Sequence, residues 1–172
     1  MMTIRDATPG DAAPVTRLAQ RVYAEMYQQV LPAPAIEQHL RTELSGGAIC
    51  SELIKRDDRT LVACRGDVVV AICKLAQAPT IACVPYRPAI EISRFFVERE
   101  HRGTGLAYEL LIYARHAAWE MGAAAIWLRV PEKNHRALAF FRKHAFRDVG
   151  LKAADVTPVH HFQIVLASEL RV

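Results

Sequence analysis

The chain has 172 residues, enough for one domain with its own core. Hydrophobic residues make up 52% and charged residues 23%, which excludes a disordered chain, and no apolar run approaches the ~20 residues of a bilayer-spanning helix. The net charge of +4 suits an anionic ligand, while basic blocks interleaved with aromatics, the footprint of RNA and DNA modules, are missing.

The first residues carry Arg5, Asp6 and Asp11 where a signal peptide needs its apolar region, which points to the cytoplasm. "TIRDAT" reads as a short strand. The helix that follows takes Asp11 as its N-cap and Pro14 in its first turn. Val15, Leu18, Ala19, Val22 and Met26 recur along it at helical spacing. A second helix is expected over Ile36 to Leu44, ended by Gly46-Gly47, with a helical turn or two after it. Two β-rich runs flank Arg65-Gly66-Asp67 and predict a hairpin. "APTIACVPYRP" is a proline-rich loop, and "AIEISRFFV" is a strand by its β-branched and aromatic content.

The clearest helix is "TGLAYELLIYARHAAWEMG". Leu106, Leu110, Leu111, Ala114, Ala117, Ala118 and Met121 share one face, and Gly122 stops it. A buried strand "AIWLRV", a helix "NHRALAFFRKHAF" capped by Asn134, and two last strands complete the chain. The pattern predicts an α/β domain, residues 1–172, built on one mixed sheet. The strands before and after the long helix can pair in parallel, because a helical crossover separates them. Cysteines 50, 64, 73 and 83 form no CxxC pair, so free thiols are expected and no metal site.

"RGTG" joins a strand to the long helix. The first-turn amides of that helix have no intrahelical acceptors, and its dipole adds partial positive charge, so the junction suits a phosphate. Gly103 and Gly105 let the backbone close on a ligand without a Cβ in the way. Arg102, with Arg99 and His101 nearby, adds cationic groups. The Walker pattern and GxGxxG are both absent. A tight turn alone would explain the glycines equally well; the surroundings decide.

Those surroundings resemble the GNAT-type N-acetyltransferase superfamily. Its cofactor motif Arg/Gln-x-x-Gly-x-Gly/Ala is matched by Arg102, Gly105 and Ala107. Its motif Asn-x-x-Ala-x-x-Phe-Tyr-x-Lys-x-Gly-Phe resembles the segment with Asn134, Ala137, Phe140, Lys143 and Phe146. "EISRFFV" and "IWLRVPEKN" look most like the polyamine and small-amine group.

The resemblance implies a mostly antiparallel mixed sheet, helices on both faces, and a central parallel pair splayed to hold CoA. It implies acetyl-CoA as acyl donor and a primary amine of a small molecule or peptide as acceptor. Neither nucleic acid nor membrane is among the expected partners; family analogy adds a homodimer. Phe95, Phe96 and Val97 would offer main-chain groups to the pantetheine arm. The amides of Arg102, Gly103, Thr104, Gly105, Leu106 and Ala107 would meet the pyrophosphate. Asn134 would touch the pantetheine side, besides capping its helix.

Glu91, eleven residues before Arg102, falls where family members often carry a base. A structural pair with Arg94 or Arg129 is the alternative for it. The usual tyrosine proton donor falls on Phe141, a cofactor-side residue without a hydroxyl, and Ala145 replaces a usual glycine. Tyr108, His144 and His160 are open as substitute donors. Glu37 and Glu43 could attract a cationic amine. Two other functions compete: a CoA-binding sensor without catalysis, and an acyl-homoserine-lactone-synthase-like enzyme suggested by "EISRF".

Overall fold

The structure, a computed structural model, describes residues 1–156 and 159–170, and the side chains of all of these except 155, 156, 159 and 160. The side chain of His160, one of the expected substitute donors, therefore lies outside the described residues.

The chain opens with β1 (Met2–Asp6), a 3-10 turn at Pro9–Asp11 and α1 (Ala12–Tyr27). Asp11 stands at the expected N-cap position, but its carboxylate faces backwards. It accepts from the Thr8 N–H at 2.7 Å and takes both Arg5 guanidinium nitrogens at 2.8 Å. Those bonds hold its pKa well below the usual carboxylate range, the Arg5 bond most of all. α2 spans Ala33–Arg41. Gly46 begins a third helix, α3 (Gly46–Ile54), rather than ending the second, because Ser45 accepts from the Ala48 N–H at 3.2 Å and caps it.

β2 (Arg59–Arg65) and β3 (Val68–Ala76) form the expected hairpin, with Gly66 at φ +60° in its turn. β4 (Ala89–Val97) leads into α4 (Leu106–Glu120), and β5 (Ala125–Pro131) leads into α5 (His135–Lys143). β6 (Arg147–Val156) and β7 (Val159–Glu169) close the chain. The last two strands are longer than "FRDVG" and "HHFQIVLA" suggested.

All seven strands form one sheet in the order β1-β2-β3-β4-β5-β7-β6. Only β4 and β5 run parallel; the other neighbours are antiparallel. Strand side chains alternate between faces. Leu61 and Ala63 pack with Leu110, Ala114 and Phe141 on the α4–α5 side, while Val62 and Cys64 pack with Leu18, Val22 and Ile49 on the α1–α3 side. Both faces are therefore buried, and the unalternating apolar runs of the central strands follow from that. Among the described residues, no helix is long and apolar enough to cross a membrane.

Where α5 ends, Ala145 adopts φ +66°. A Cβ is disfavoured there, which accounts for the glycine that the motif usually carries. Arg115 fixes the site by donating to the His144 carbonyl and the Ser168 hydroxyl, both at 2.8 Å.

Two stability tests follow from these contacts. Ala145→Gly is expected to stabilise the fold by about 0.5–1 kcal/mol, read by urea denaturation. Asp11→Ala is expected to cost about 1 kcal/mol at neutral pH, through the lost bonds to Arg5 and the Thr8 N–H. Because the folded pKa of Asp11 is depressed, its contribution is present above the unfolded carboxylate value of about 3.9 and is lost as pH falls below it. The gap between wild type and variant should close at low pH; a constant gap would contradict the assignment.

Candidate active site

Parallel pairing of β4 with β5 covers only Ala89↔Ala125, Ile90↔Ile126 and Glu91↔Trp127. Beyond Glu91 the strands part, while β4 stays on β3 as far as Val97 and β5 stays on β7 as far as Pro131. The register shift between Lys74 and Leu75 leaves Ser93 as an extra residue on β4. Such a bulge bends its strand and sharpens the local twist, which carries β4 away from β5. The gap opens into a cleft of about 570 Å³ that reaches both faces of the sheet. Phe95, Asn134 and Phe141 line it from one side, and Tyr27, His39 and Glu91 from the other.

The parting exposes one edge of β4. The Glu98 N–H donates to the Val70 carbonyl at 2.9 Å, so the antiparallel ladder directs Glu98 and Phe96 toward β3. Phe95 and Val97 alternate with them, so the Phe95 main-chain groups and the Val97 N–H are directed toward the gap, while the Val97 carbonyl accepts from the Arg102 guanidinium. The expectation for Phe96 is corrected here: its backbone pairs with Ile72, and only its side chain reaches the cleft.

Just past β4 lies the glycine-rich loop. Gly103 and Gly105 take φ +79° and +95°, and Gly105 is the N-cap of α4. The Arg102 N–H bonds to the Arg99 carbonyl at 3.2 Å, so it is removed from the expected set of free amides. The amides of Gly103, Thr104, Gly105, Leu106 and Ala107 have no acceptor among the described residues. Five successive donors at a helix N-terminus form a cradle for an anion.

Arg102 does not supply its charge to that cradle. Its guanidinium donates to the Val97 carbonyl at 2.9 Å and to Glu25 at 2.8 Å, tying the loop to β4 and α1. Beside the loop stands Arg136, which has no ion pair among the described residues and whose Nη2 lies 3.9 Å from where a Cβ on Gly103 would stand. Its position in the first turn of α5 gave no signal of this in the sequence.

On the α5 side, Asn134 caps its helix by accepting from the Ala137 N–H at 3.1 Å and also lines the cleft. Phe141 is 3% exposed and sits edge-on to Phe95, with ring centroids 5.4 Å apart. Tyr108 and His144 stack on each other at 4.6 Å, and neither lines the cleft. The substitute donors they represented are therefore not brought to the site.

On the opposite side, Glu91 is 5% exposed. Arg129 donates to its Oε1 through Nε at 3.0 Å and Nη2 at 2.7 Å, while no hydrogen bond reaches Oε2 among the described residues. Arg94, the other expected partner, bonds instead to Glu52, at 2.9 Å through Nη2. Tyr23 stacks on His39 at 4.1 Å and leans on Tyr27 at 4.4 Å. Burial raises the pKa of both tyrosines and lowers that of His39. Glu43 lines this half of the cleft and Glu37 does not.

Residues 19–146 match the model of the acetyltransferase (GNAT) family. The chain belongs to that family.

Uncharacterised N-acetyltransferases of Mycobacterium bovis and Mycobacterium tuberculosis are 31% identical to it over 81 residues, 47% of this chain and 52% of theirs. The match thus spans about half the length of these curated relatives. The PaiA N-acetyltransferase of Thermoplasma acidophilum, solved with coenzyme A, has the same fold: TM-score 0.77, 18% identity, covering 98% of this chain and 99% of that one. The Escherichia coli ribosomal-protein-S18-alanine N-acetyltransferase gives a TM-score of 0.72 at 16% identity, covering 100% and 96%.

Acetyl-CoA is the acyl donor of GNAT acetyltransferases. The residues present fit it. The row of free amides suits a diphosphate, and the open edge of β4 suits an amide-bearing arm lying alongside as an extra strand. In this GNAT chain Gly105 bears directly on that fit, because its left-handed φ sets the path of a loop whose amides have no acceptor among the described residues. Gly105→Ala adds about 1 kcal/mol of backbone strain and is expected to weaken CoA binding about fivefold to tenfold by calorimetry. Unchanged affinity would separate the loop from the cofactor.

Proposed function

We propose that the protein transfers an acetyl group from acetyl-CoA to a primary amine of a small molecule or peptide, by direct attack and with Glu91 as base. One observation carries the reading. A single cleft runs through the sheet and joins the free edge of β4 to a buried carboxylate, Glu91, whose Oε2 has no hydrogen bond among the described residues. Donor and acceptor can then meet from opposite faces.

Acetyl-CoA supplies an activated thioester whose C–S bond is exchanged for a C–N bond. The chain supplies the rest. Arg129 fixes the Glu91 carboxylate through one oxygen and leaves the other to take a proton from the amine, directly or through water. The Val97 N–H, turned into the gap, faces negative charge developing on the carbonyl oxygen. Asn134 keeps its amide nitrogen for the pantetheine side, since its oxygen is held by the helix cap. Gly103, Thr104, Gly105, Leu106 and Ala107 hold the diphosphate, and Arg136 adds a nearby positive charge. A homodimer completes the reading by family analogy, and sedimentation tests it.

Glu91→Gln is expected to lower kcat about 100-fold while leaving CoA affinity within twofold. A lower melting temperature with kcat retained would assign the carboxylate to the Arg129 pair alone.

One observation favours a second reading, a CoA-binding sensor. Phe141 offers no proton to a leaving thiolate, and neither Tyr108 nor His144 reaches the cleft to replace it. Tight acetyl-CoA binding with no thiol release across a panel of amines would establish the sensor. Release with any amine would dismiss it.

A further inference from the structure

The acceptor half of the cleft has two chemically different walls. On the α2 and β4 side stand Glu43 and Glu91. On the β6 and β7 side stand Lys152 and His161, with Arg129 between the two walls. The antiparallel register explains the second wall. Lys152 lies opposite Gln163 and Ala154 opposite His161, so the side chains of Lys152, Gln163 and His161 share one face of the hairpin. Gln163 and Tyr27 both line the cleft, and the Gln163 side chain offsets part of the rise that burial gives the Tyr27 pKa, so this face lies against α1.

Two groups on that wall lack partners. His161 is 7% exposed, and its buried Nδ1 has no hydrogen bond among the described residues. An imidazole nitrogen left that way costs about 1–3 kcal/mol, unless something entering the cleft pairs with it. Its ring stands edge-on to Tyr27 with centroids 6.2 Å apart, so packing fixes where the nitrogen points. Lys152 has no ion-pair partner among the described residues. Of the two acids on the facing wall, Glu91 is engaged by Arg129, while Glu43 has no ion pair among the described residues and is left to meet the cationic amine.

We propose that the acceptor is an amine that also bears a carboxylate, with the carboxylate read by Lys152 and the His161 Nδ1 while the amine lies against Glu91. This rests on the acetyl-transfer reading above and narrows its substrate. The donors match a carboxylate in kind. The Lys152 ammonium supplies charge, and the buried His161 Nδ1 supplies a directed bond in the tautomer that carries its proton there, the tautomer a bound carboxylate selects. A polyamine would instead bring a second ammonium toward Lys152. The polyamine likeness of "EISRFFV" and "IWLRVPEKN" lies on β4, β5 and the turn after β5. It does not include the β6–β7 wall, where this choice is made.

The test uses the full chain with acetyl-CoA and amines matched in length, each α- or ω-amino acid against its alkylamine and its diamine. The carboxylate-bearing member is expected to have a kcat/KM at least tenfold higher. Lys152→Met and His161→Leu should each reduce that preference below threefold, with CoA affinity unchanged. His161→Asn, which keeps a polar atom near the Nδ1 position, should retain most of it and guards against misfolding in the leucine variant. Equal or better use of alkylamines or diamines, or a preference that survives both Lys152→Met and His161→Leu, would overturn the proposal and leave acetyl transfer standing. If CoA binds and no amine turns over, the transfer reading itself fails. Calorimetry of the same amines on CoA-loaded protein then decides: carboxylate-dependent binding lost in Lys152→Met supports the wall's assignment, and its absence refutes it.

Discussion

Two parallel strands that share only three residue pairs before diverging leave main-chain donors and acceptors facing each other across a gap. Buried groups of that kind must find partners or water. Everything at the site follows from the divergence. It makes the cleft, turns the Phe95 main chain and the Val97 N–H toward the gap, and places Glu91 at the last paired position, where the walls are closest. The antiparallel neighbours β3 and β7 keep each diverging strand paired on its outer side, so the opening does not unravel the sheet.

The loop that follows β4 is held by contacts from outside it. Arg102 reaches the Val97 carbonyl and Glu25 of α1, and Glu98 pairs with Arg21 of the same helix. A row of amides aimed at solvent would otherwise be a mobile turn. These tethers pre-set its shape, so less ordering is left for the moment of binding. The guanidinium of the motif arginine thus holds the backbone of the loop in place and does not lend its charge to the cradle. That division of labour could not be read from residue type, because an arginine beside a phosphate loop suggests direct contact.

Local chemistry was legible wherever the physics is local. Gly122 at a helix end, Gly66 in a two-residue turn and Asn134 before an amphipathic helix each act through their own neighbours, and the sequence located them. Gly46 misled because the deciding residue was Ser45, whose hydroxyl begins a helix where glycines suggested an end. The parallel pair could be proposed from the helical crossover, but not the bulge at Ser93 that parts it, since that depends on register with β3. The pairing of Glu91 with Arg129 rather than Arg94 is likewise a matter of which face each strand turns inward. His161 and Lys152 gave no motif at all. Their place in the proposal comes from a cross-strand neighbourhood and from one nitrogen without a partner among the described residues, and both are properties of the folded chain.

An exposed strand edge is ordinarily a hazard, because it invites another polypeptide to pair with it. Here the bare edge of β4 lies inside a slot flanked by β5 and overhung by α5. A foreign strand carries side chains on alternate faces and would collide with Phe141 and Asn134 on one side and Tyr27 on the other. A slender unbranched tether with amides along its length would not. The geometry that makes the edge sticky also screens what may adhere to it, which protects the molecule from aggregating through its own working surface.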